Sequence, residues 1–552
     1  ASHGVVLWKV PMRRWQPEFG TGTGARWSIH HTIPRRLVAE GDRVYVTLGF
    51  LDSPVSVLDA ATGEIITEAL EGTRGTDEML LADGVLIVKI TKERSVGATE
   101  RMGKERLVDT LSAVDVASGR VLWRKEGVRV VPYALSAQAG RCVYHNLDEL
   151  VCLDAKTGEE VWRVPNRLGP AAGGTSTLVI TDGVVLFHGH GPPKQVEAKG
   201  AAARKRRQPN RYLVALSLED GSGLWRRAGK QSLAAACTQP TDLFVADGIV
   251  WCGNSLEGFH LQTGAVERTL SIGELISPGH HYRCHRGKAT ERFMIWPKRG
   301  AEFLDLAGDD HMRNDWLRAP CFTGPTPANG LLYVPPSQCF CYPGAKVFGY
   351  LAMSAEPVET LKPAGEKGLE RGSAFGRVDD RPGASGDDWP MYRRDGQRSG
   401  STRMALPAKL GQEWRIELAC RVTQPVIVGD RLWVAEKDAH RIRCLNAADG
   451  KDLWSFSAGG RIDSAPTVDD GLVLFGCRDG SVYCLRATDG ALVWRFRAAP
   501  AQRRLVSFEQ VESVWPVQGS VLVENGVVYF AAGRSSFLDG GILVYALDAG
   551  TG

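Results

Sequence analysis

The run His280-His281-Tyr282-Arg283-Cys284-His285-Arg286-Gly287-Lys288 is the densest set of titratable side chains in the chain. Imidazole changes charge near neutral pH, and guanidinium presents a planar fork that fits a carboxylate. On an extended strand, side chains alternate, so His281, Arg283 and His285 would face one way and Tyr282, Cys284 and Arg286 the other. Two chemistries suit such a set. It could bind a carboxylate, with His280, Arg286 and Lys288 as contacts. It could also abstract the proton α to a uronic carboxylate, with His281, Tyr282, Arg283 and His285 as the catalytic candidates. A hydrogen-bonded structural network uses the same residues equally well.

Two further groups carry chemistry. Cys284, Cys321, Cys339 and Cys341 are the candidates for a soft or borderline metal site or a redox pair, joined upstream by Cys237; free buried cysteine is the competing reading. Cys152, Cys444 and Cys484 sit instead where a strand places a small apolar residue. Arg204, Lys205 and Arg206 head a basic cluster that could attract an acidic polymer, or could simply be solvated. A phosphate-binding glycine loop, a Gly-x-Ser-x-Gly elbow and a His-Glu-x-x-His helix are all missing from the sequence. A net charge of +4 over 552 residues argues against a nucleic-acid partner. No apolar stretch reaches the roughly 18 residues of a spanning helix. The chain starts without a methionine or a basic-then-apolar leader, so a targeting segment is expected to be missing or removed.

These residues must be positioned by a repeat. A short aliphatic strand leads into Asp/Asn-x-x-x-Gly, and a tryptophan follows four residues later: Gly119 to Trp123, Gly158 to Trp162, Gly221 to Trp225, Gly450 to Trp454, Gly490 to Trp494. Degenerate copies put Thr67 after Gly63 and Arg268 after Gly264. A second turn signal precedes each copy, at Asp83-Gly84, Asp182-Gly183, Asp247-Gly248, Asn329-Gly330, Asp470-Gly471 and Asn525-Gly526. Dipeptides of this type make tight hairpins, and the flanking aliphatic alternation has the period of strands. A repeat near forty residues with four strands is the period of a propeller blade. The expected fold is therefore all-β, an eight-bladed propeller over 1–361 with its first blade truncated, a polar linker over 362–388, and the start of a second, truncated propeller over 389–552. A single ring with a long internal excursion is the alternative. The insertions 92–107 and 188–212, and the loops entering each inner strand, would share one face, the top.

The segments Tyr545-Ala546-Leu547-Asp548-Ala549-Gly550-Thr551-Gly552 and Leu153-Asp154-Ala155-Lys156-Thr157-Gly158-Glu159-Glu160-Val161-Trp162 resemble the repeat of the quinoprotein alcohol dehydrogenases and of the propeller lipoprotein of the outer-membrane β-barrel assembly machinery. Trp389-Pro390-Met391-Tyr392 resembles the opening strand of such propellers. His280 through Tyr342 resembles part of large envelope proteins of planctomycete type. The resemblance implies that Trp8, Trp123, Trp162, Trp225, Trp454 and Trp494 dock blade on blade, and that the chain works in the periplasm or cell envelope. It leaves three functions open. One is a non-catalytic scaffold binding a protein or glycan at its top face. The second is a quinone-dependent dehydrogenase, against which stand the missing vicinal Cys-Cys and haem Cys-x-x-Cys-His, so that no cofactor is expected and pyrroloquinoline quinone with calcium is disfavoured. The third is a lyase or hydrolase of acidic polysaccharide.

Overall fold

The computed structural model describes residues 8–11, 35–49, 52–91, 108–131, 133–168, 176–190, 211–229, 242–252, 256–272, 285–320, 323–336, 349–355, 365–378, 386–418, 420–507 and 510–552. Within them the chain is β-structure with one short 3-10 turn, and it divides into two compact units, 6–353 and 354–552.

Unit one is a propeller of consecutive antiparallel meanders. Among the described residues it holds seven sheets, each with its strands hydrogen-bonded in chain order. Five have four strands, spanning 37–67, 76–128, 135–165, 177–229 and 243–269; two have three, spanning 288–305 and 326–354. The first strand of one sheet touches the first strand of the next: Leu37–Glu40 against Thr76–Ala82, then Leu135–Gln138, Thr177–Thr181 and Leu243–Ala246 in turn, and Lys288–Ala289 against Thr326–Ala328. First strands therefore line an axis, and the sheets radiate from it.

Local chemistry sets each sheet. In five of the seven sheets the turn joining the first to the second strand has both central residues left-handed, as at Asp83 (φ 51°) and Gly84 (φ 73°), the pairing a two-residue hairpin needs to match strand twist. The third turn is closed by Asp or Asn side chains that accept main-chain N–H groups, as Asp154 does from Lys156 (3.0 Å) and Thr157 (2.9 Å).

Besides the apolar cores packed between neighbouring sheets, one recurring contact joins sheet to sheet. The indole N–H groups of Trp8 and of the fourth-strand tryptophans each donate to a main-chain carbonyl in the third turn of the following sheet: Trp8 to Ala60 (3.1 Å), Trp123 to Ala155 (2.9 Å), Trp162 to Leu218 (2.9 Å), Trp225 to Leu261 (2.8 Å). The ring lies flat on the glycine of that turn, so that a Cβ on Gly63, Gly158, Gly221 or Gly264 would stand 2.5 to 2.8 Å from indole atoms. Arg268 replaces the tryptophan once and donates to the carbonyls of Leu306 and Ala307. The fourth strand that should follow in that sheet is reduced to a bridge between Met312 and Phe303.

Unit two repeats the design in sheets 426–457, 467–497 and 522–548. Trp414 docks on Ala447 (3.0 Å), Trp454 on Ala487 (3.0 Å) and Trp494 on Ala549 (2.9 Å). Trp414 lies outside the Gly-then-Trp spacing, so the sequence pattern missed it. Within the segment expected to be a linker, Leu369–Arg371 adds a fifth, outer strand to the middle sheet, pairing with Leu492–Arg497. Ala374 is buried there, and a Cβ on Gly372 would strike the Leu492 carbonyl.

Gly490 and Gly526 share φ of 74°, but a Cβ at Gly490 would meet Trp454 at 2.4 Å whereas one at Gly526 meets nothing. Gly526→Ala is expected to cost about 1 kcal/mol from backbone strain alone. Gly490→Ala should cost at least twice that in urea unfolding of the C-terminal transition; equal costs would show that the docked ring contributes nothing.

Candidate functional site

The innermost strands of unit one all begin at the same end of the axis, and charged side chains gather there. Arg35 and Arg36 precede the first inner strand, Asp77 and Glu78 lie in the second, Tyr133 precedes the third, Thr177 opens the fourth, Asp242 precedes the fifth and Arg286 the sixth. A strand start is the natural place for them, because the chain there is leaving a loop and its side chains turn inward before cross-strand packing begins.

Two arginines tie these starts together. Arg35 Nη2 bonds Glu78 Oε1 at 2.8 Å and the Leu135 carbonyl at 2.9 Å, so it spans sheets one to three. Arg286 Nε donates to Asp242 Oδ1 at 2.9 Å, its Nη2 donates to Thr177 Oγ1, and its guanidinium lies 4.8 Å above the Tyr133 ring. One side chain from the sixth sheet thus touches the fifth, fourth and third, which requires it to reach inward from the rim of the axis. The second oxygen of Asp242 accepts the Gly287 N–H at 2.7 Å, and the second oxygen of Glu78 accepts the Tyr133 N–H at 3.4 Å. Behind Glu78, the buried Lys89 ammonium pairs with Asp77 at 3.3 Å, and Arg36 pairs with Asp77 at 3.0 Å. Burial opposes the charge on Lys89, but the carboxylates of Asp77, Asp109 and Glu78 together hold its pKa above the usual lysine value. Burial also raises the Asp109 carboxyl.

Tyr133 is held in the left-handed region (φ 62°), which costs a bulky residue on the order of 1–2 kcal/mol. Its loop is clamped to the main chain of His145, whose carbonyl accepts the Val131 N–H (2.9 Å) and whose N–H donates to Ala134 (3.0 Å). Burial raises the Tyr133 phenol, an effect that Arg286 opposes. His145 is fully buried against Phe187, and its Nε2 donates to the Asn166 carbonyl at 3.1 Å. Burial pushes its pKa down to about 4.

Of the residues singled out by sequence, Arg286 and Lys288 lie at this axial site. His285 turns the other way: it is buried, its ring packs on Gly324, and its Nδ1 meets the Arg286 carbonyl at 3.0 Å. On this strand the side directed at the axis is therefore that of Arg286. His280, His281, Tyr282, Arg283 and Cys284 lie outside the described residues, as do Arg204, Lys205, Arg206, Cys237, Cys321, Cys339 and Cys341. Among the described residues no cluster of His, Cys, Asp or Glu has the makings of a metal site. Cys152, Cys444 and Cys484 are buried, and burial pushes the thiols of Cys152 and Cys444 up to about 12.

Sequence reading missed Tyr133, Glu78 and Asp242 because they belong to three different repeats. It also missed a second charged cluster, in unit two. There Arg478 bonds Glu512 (2.7 Å) and Asp463, Arg534 approaches Glu512 (3.3 Å), and Arg461 pairs with Asp463 (2.8 Å). An adjoining cavity of about 370 Å³ is lined by Asp438, His440, Asp479, Arg504, Gln510 and Glu512. The inserted hairpin Arg504–Ser507 and Gln510–Ser513 forms one wall.

A family model described as outer membrane protein assembly factor BamB matches residues 107–275 and 400–552, together more than half of the chain. No curated protein matches it. The BamB structure of Moraxella catarrhalis is 12% identical over 83% of this chain and 95% of that one, with a TM-score of 0.30. A quinohemoprotein alcohol dehydrogenase of Comamonas testosteroni is 13% identical over 94% of this chain and 75% of that one, with a TM-score of 0.29.

Two measurements test the axial network. Asp242→Asn and Arg286→Met should each destabilise unit one by about 2–4 kcal/mol, and the double variant should cost at least 1 kcal/mol less than their sum; full additivity would mean the pair is not coupled. For His145 the folded value lies below the ordinary 6.5, so its stabilising contribution is complete above pH 6.5 and is lost as pH falls toward 4. At pH 5 the loss is about 2 kcal/mol. His145→Gln should remove that part of the pH dependence of unfolding, and an unchanged slope would exclude the histidine as its source.

Proposed function

Because the chain belongs to the pyrroloquinoline-quinone-like repeat family whose model is described as outer membrane protein assembly factor BamB, we propose that it is a non-catalytic binding scaffold of the bacterial cell envelope. Its top face, where loops enter the inner strands, would receive a protein partner. The observation that carries this reading is the state of the charged groups at the axis. Asp242 and Glu78 are each engaged by an arginine and a main-chain N–H, and Asp77 by Arg36, Lys89 and the Thr91 hydroxyl. A general base must be turned toward the proton it removes from substrate, and these carboxylates are turned instead onto cationic side chains of the protein. The described thiols other than Cys420 are buried, and burial raises the pKa values of Cys142, Cys152 and Cys444 to about 12, which keeps those three protonated rather than nucleophilic. Paired charges and a rigid ring suit recognition, in which a preorganised surface loses little entropy on binding.

The quinone-dependent and polysaccharide-cleaving alternatives would need catalytic groups supplied by residues 280–284 or by the cysteines beyond the described set. A glycan partner at the same face remains a second occupant for the same experiment. A photo-reactive amino acid placed at Asp52 or Lys437, both exposed or half-exposed in turns that follow second strands, should cross-link a discrete envelope protein in cells. The same probe at Leu122 or Leu453 on outer strands should not. Capture from the outer strands alone, or from neither set, would refute the top-face scaffold.

A further inference from the structure

Lys288 is the one charge at the axis of unit one that the described structure leaves unanswered. It lies two residues beyond Arg286 in the same extended run, so both side chains leave the strand on one side. Among the described residues the inner ends bring together five cations, Arg35, Arg36, Lys89, Arg286 and Lys288, and four carboxylates, Asp77, Glu78, Asp109 and Asp242. Arg35 is matched by Glu78, Arg36 and Lys89 share Asp77 with Asp109 beside them, and Arg286 takes Asp242. Lys288 is half-buried and, among the described residues, makes no hydrogen bond or ion pair, although Asp242 and Arg286 are the charges nearest in effect. Burial, reinforced by Arg286, works against its charge, while Asp242 alone favours it. A half-buried ammonium with no partner is a cost that a single anionic group would remove.

We propose that Lys288, beside Arg286 and the Tyr133 ring, is an anion site at the mouth of the unit-one axis, and that it takes the carboxylate of an Asp or Glu side chain on a loop of the protein partner. This rests on the scaffold reading above. The choice of an acidic side chain over a uronic sugar follows from the acceptors. Both oxygens of Asp242 and both of Glu78 are already used, by Arg286, Gly287, Arg35 and Tyr133. A sugar's hydroxyl protons would have to share acceptors already held by charged or main-chain donors, whereas a carboxylate on a hydrocarbon stem brings no donors to satisfy. The left-handed Tyr133 fits the same purpose, since its strain holds an aromatic wall beneath Arg286.

The test uses the full chain with two labelled probes, a tetraglutamate peptide and a digalacturonate, read by fluorescence anisotropy at fixed ionic strength. Tetraglutamate should bind and digalacturonate should bind at least tenfold more weakly; Lys288→Met should weaken tetraglutamate at least tenfold, and Lys288→Arg should restore most of it. Lys288→Met removes an unpaired charge, so it should fold and melt no lower than the parent in acetate-free buffer. In acetate, the parent's melting temperature should rise and that of Lys288→Met should not, with sodium chloride at equal ionic strength as control. Equal binding of tetraglutamate by the parent and Lys288→Met would overturn the site, and preference for digalacturonate would overturn the assignment to a protein side chain. If in-cell cross-linking from Asp52 captures its partner equally from Lys288→Met, the anion site fails while the scaffold stands; if it captures nothing from the parent, the scaffold itself fails.

Discussion

A tryptophan lying on a glycine, with its indole N–H given to the neighbouring turn's carbonyl, is the constraint from which the architecture follows. A four-stranded sheet of this repeat buries its apolar faces only by packing on its neighbours. The indole covers the third turn of the next sheet and fixes the angle between the two, since both the donor and the ring plane are specified. Glycine is needed for two reasons that coincide. The turn requires a left-handed φ, near 66° to 74° at Gly158, Gly221, Gly264 and Gly490, and the ring leaves no room for a Cβ. Arg268 makes the same point by exception: a long side chain with several donors can meet the same carbonyls without the aromatic plane, and there the outer strand of the following sheet has shrunk to a single bridge.

That joint works on the outside of the ring, and the axial network works on the inside. Arg35 and Arg286 cross between inner strands where the apolar packing of the sheets has ended and the strands diverge. The carboxylates they meet are buried, so each pair must be complete to be tolerated. This accounts for the multiple hydrogen bonds to Asp242 and Glu78, and it makes the conformation of each inner-strand start depend on the sheet opposite. The clamp of the Tyr133 loop on His145 extends the network one layer down, where a neutral, buried imidazole supports a strained aromatic at the surface of the axis.

The fold was legible because its determinants are local. Asp-Gly and Asn-Gly turns, the Asx-x-x-x-Gly step and the tryptophan four residues on are all short-range signals, and they recur. Trp414 escaped the pattern because Gly411 precedes it by three residues instead of four, yet it makes the same bond. The fifth strand at Leu369–Arg371 was hidden for another reason: glycine, charge and proline around it read as linker, and its pairing with Leu492–Arg497 depends on residues more than a hundred positions away. The axial site was half legible. Arg286 and Lys288 stood out by density of charge, but their partners Asp242, Thr177 and Tyr133 are isolated residues in separate repeats, and nothing in one repeat announces what its neighbours across an axis will offer.

His285 and Arg286 are adjacent on one extended run and face opposite ways. Period-two alternation correctly separates His285 from Arg286, but it cannot say which of the two sides is the axis. That was decided by Asp242, which accepts from Arg286 and from Gly287 and so turns the strand, and by Gly324, whose lack of a side chain makes the space that His285 fills. Orientation in a ring is thus a property of the neighbours, fixed by one buried carboxylate on one flank and one glycine on the other. A histidine that would have been the natural base for chemistry at the axis is placed by that same pair of residues in the wall, where it packs, and an arginine that can only hold an anion is left facing the opening.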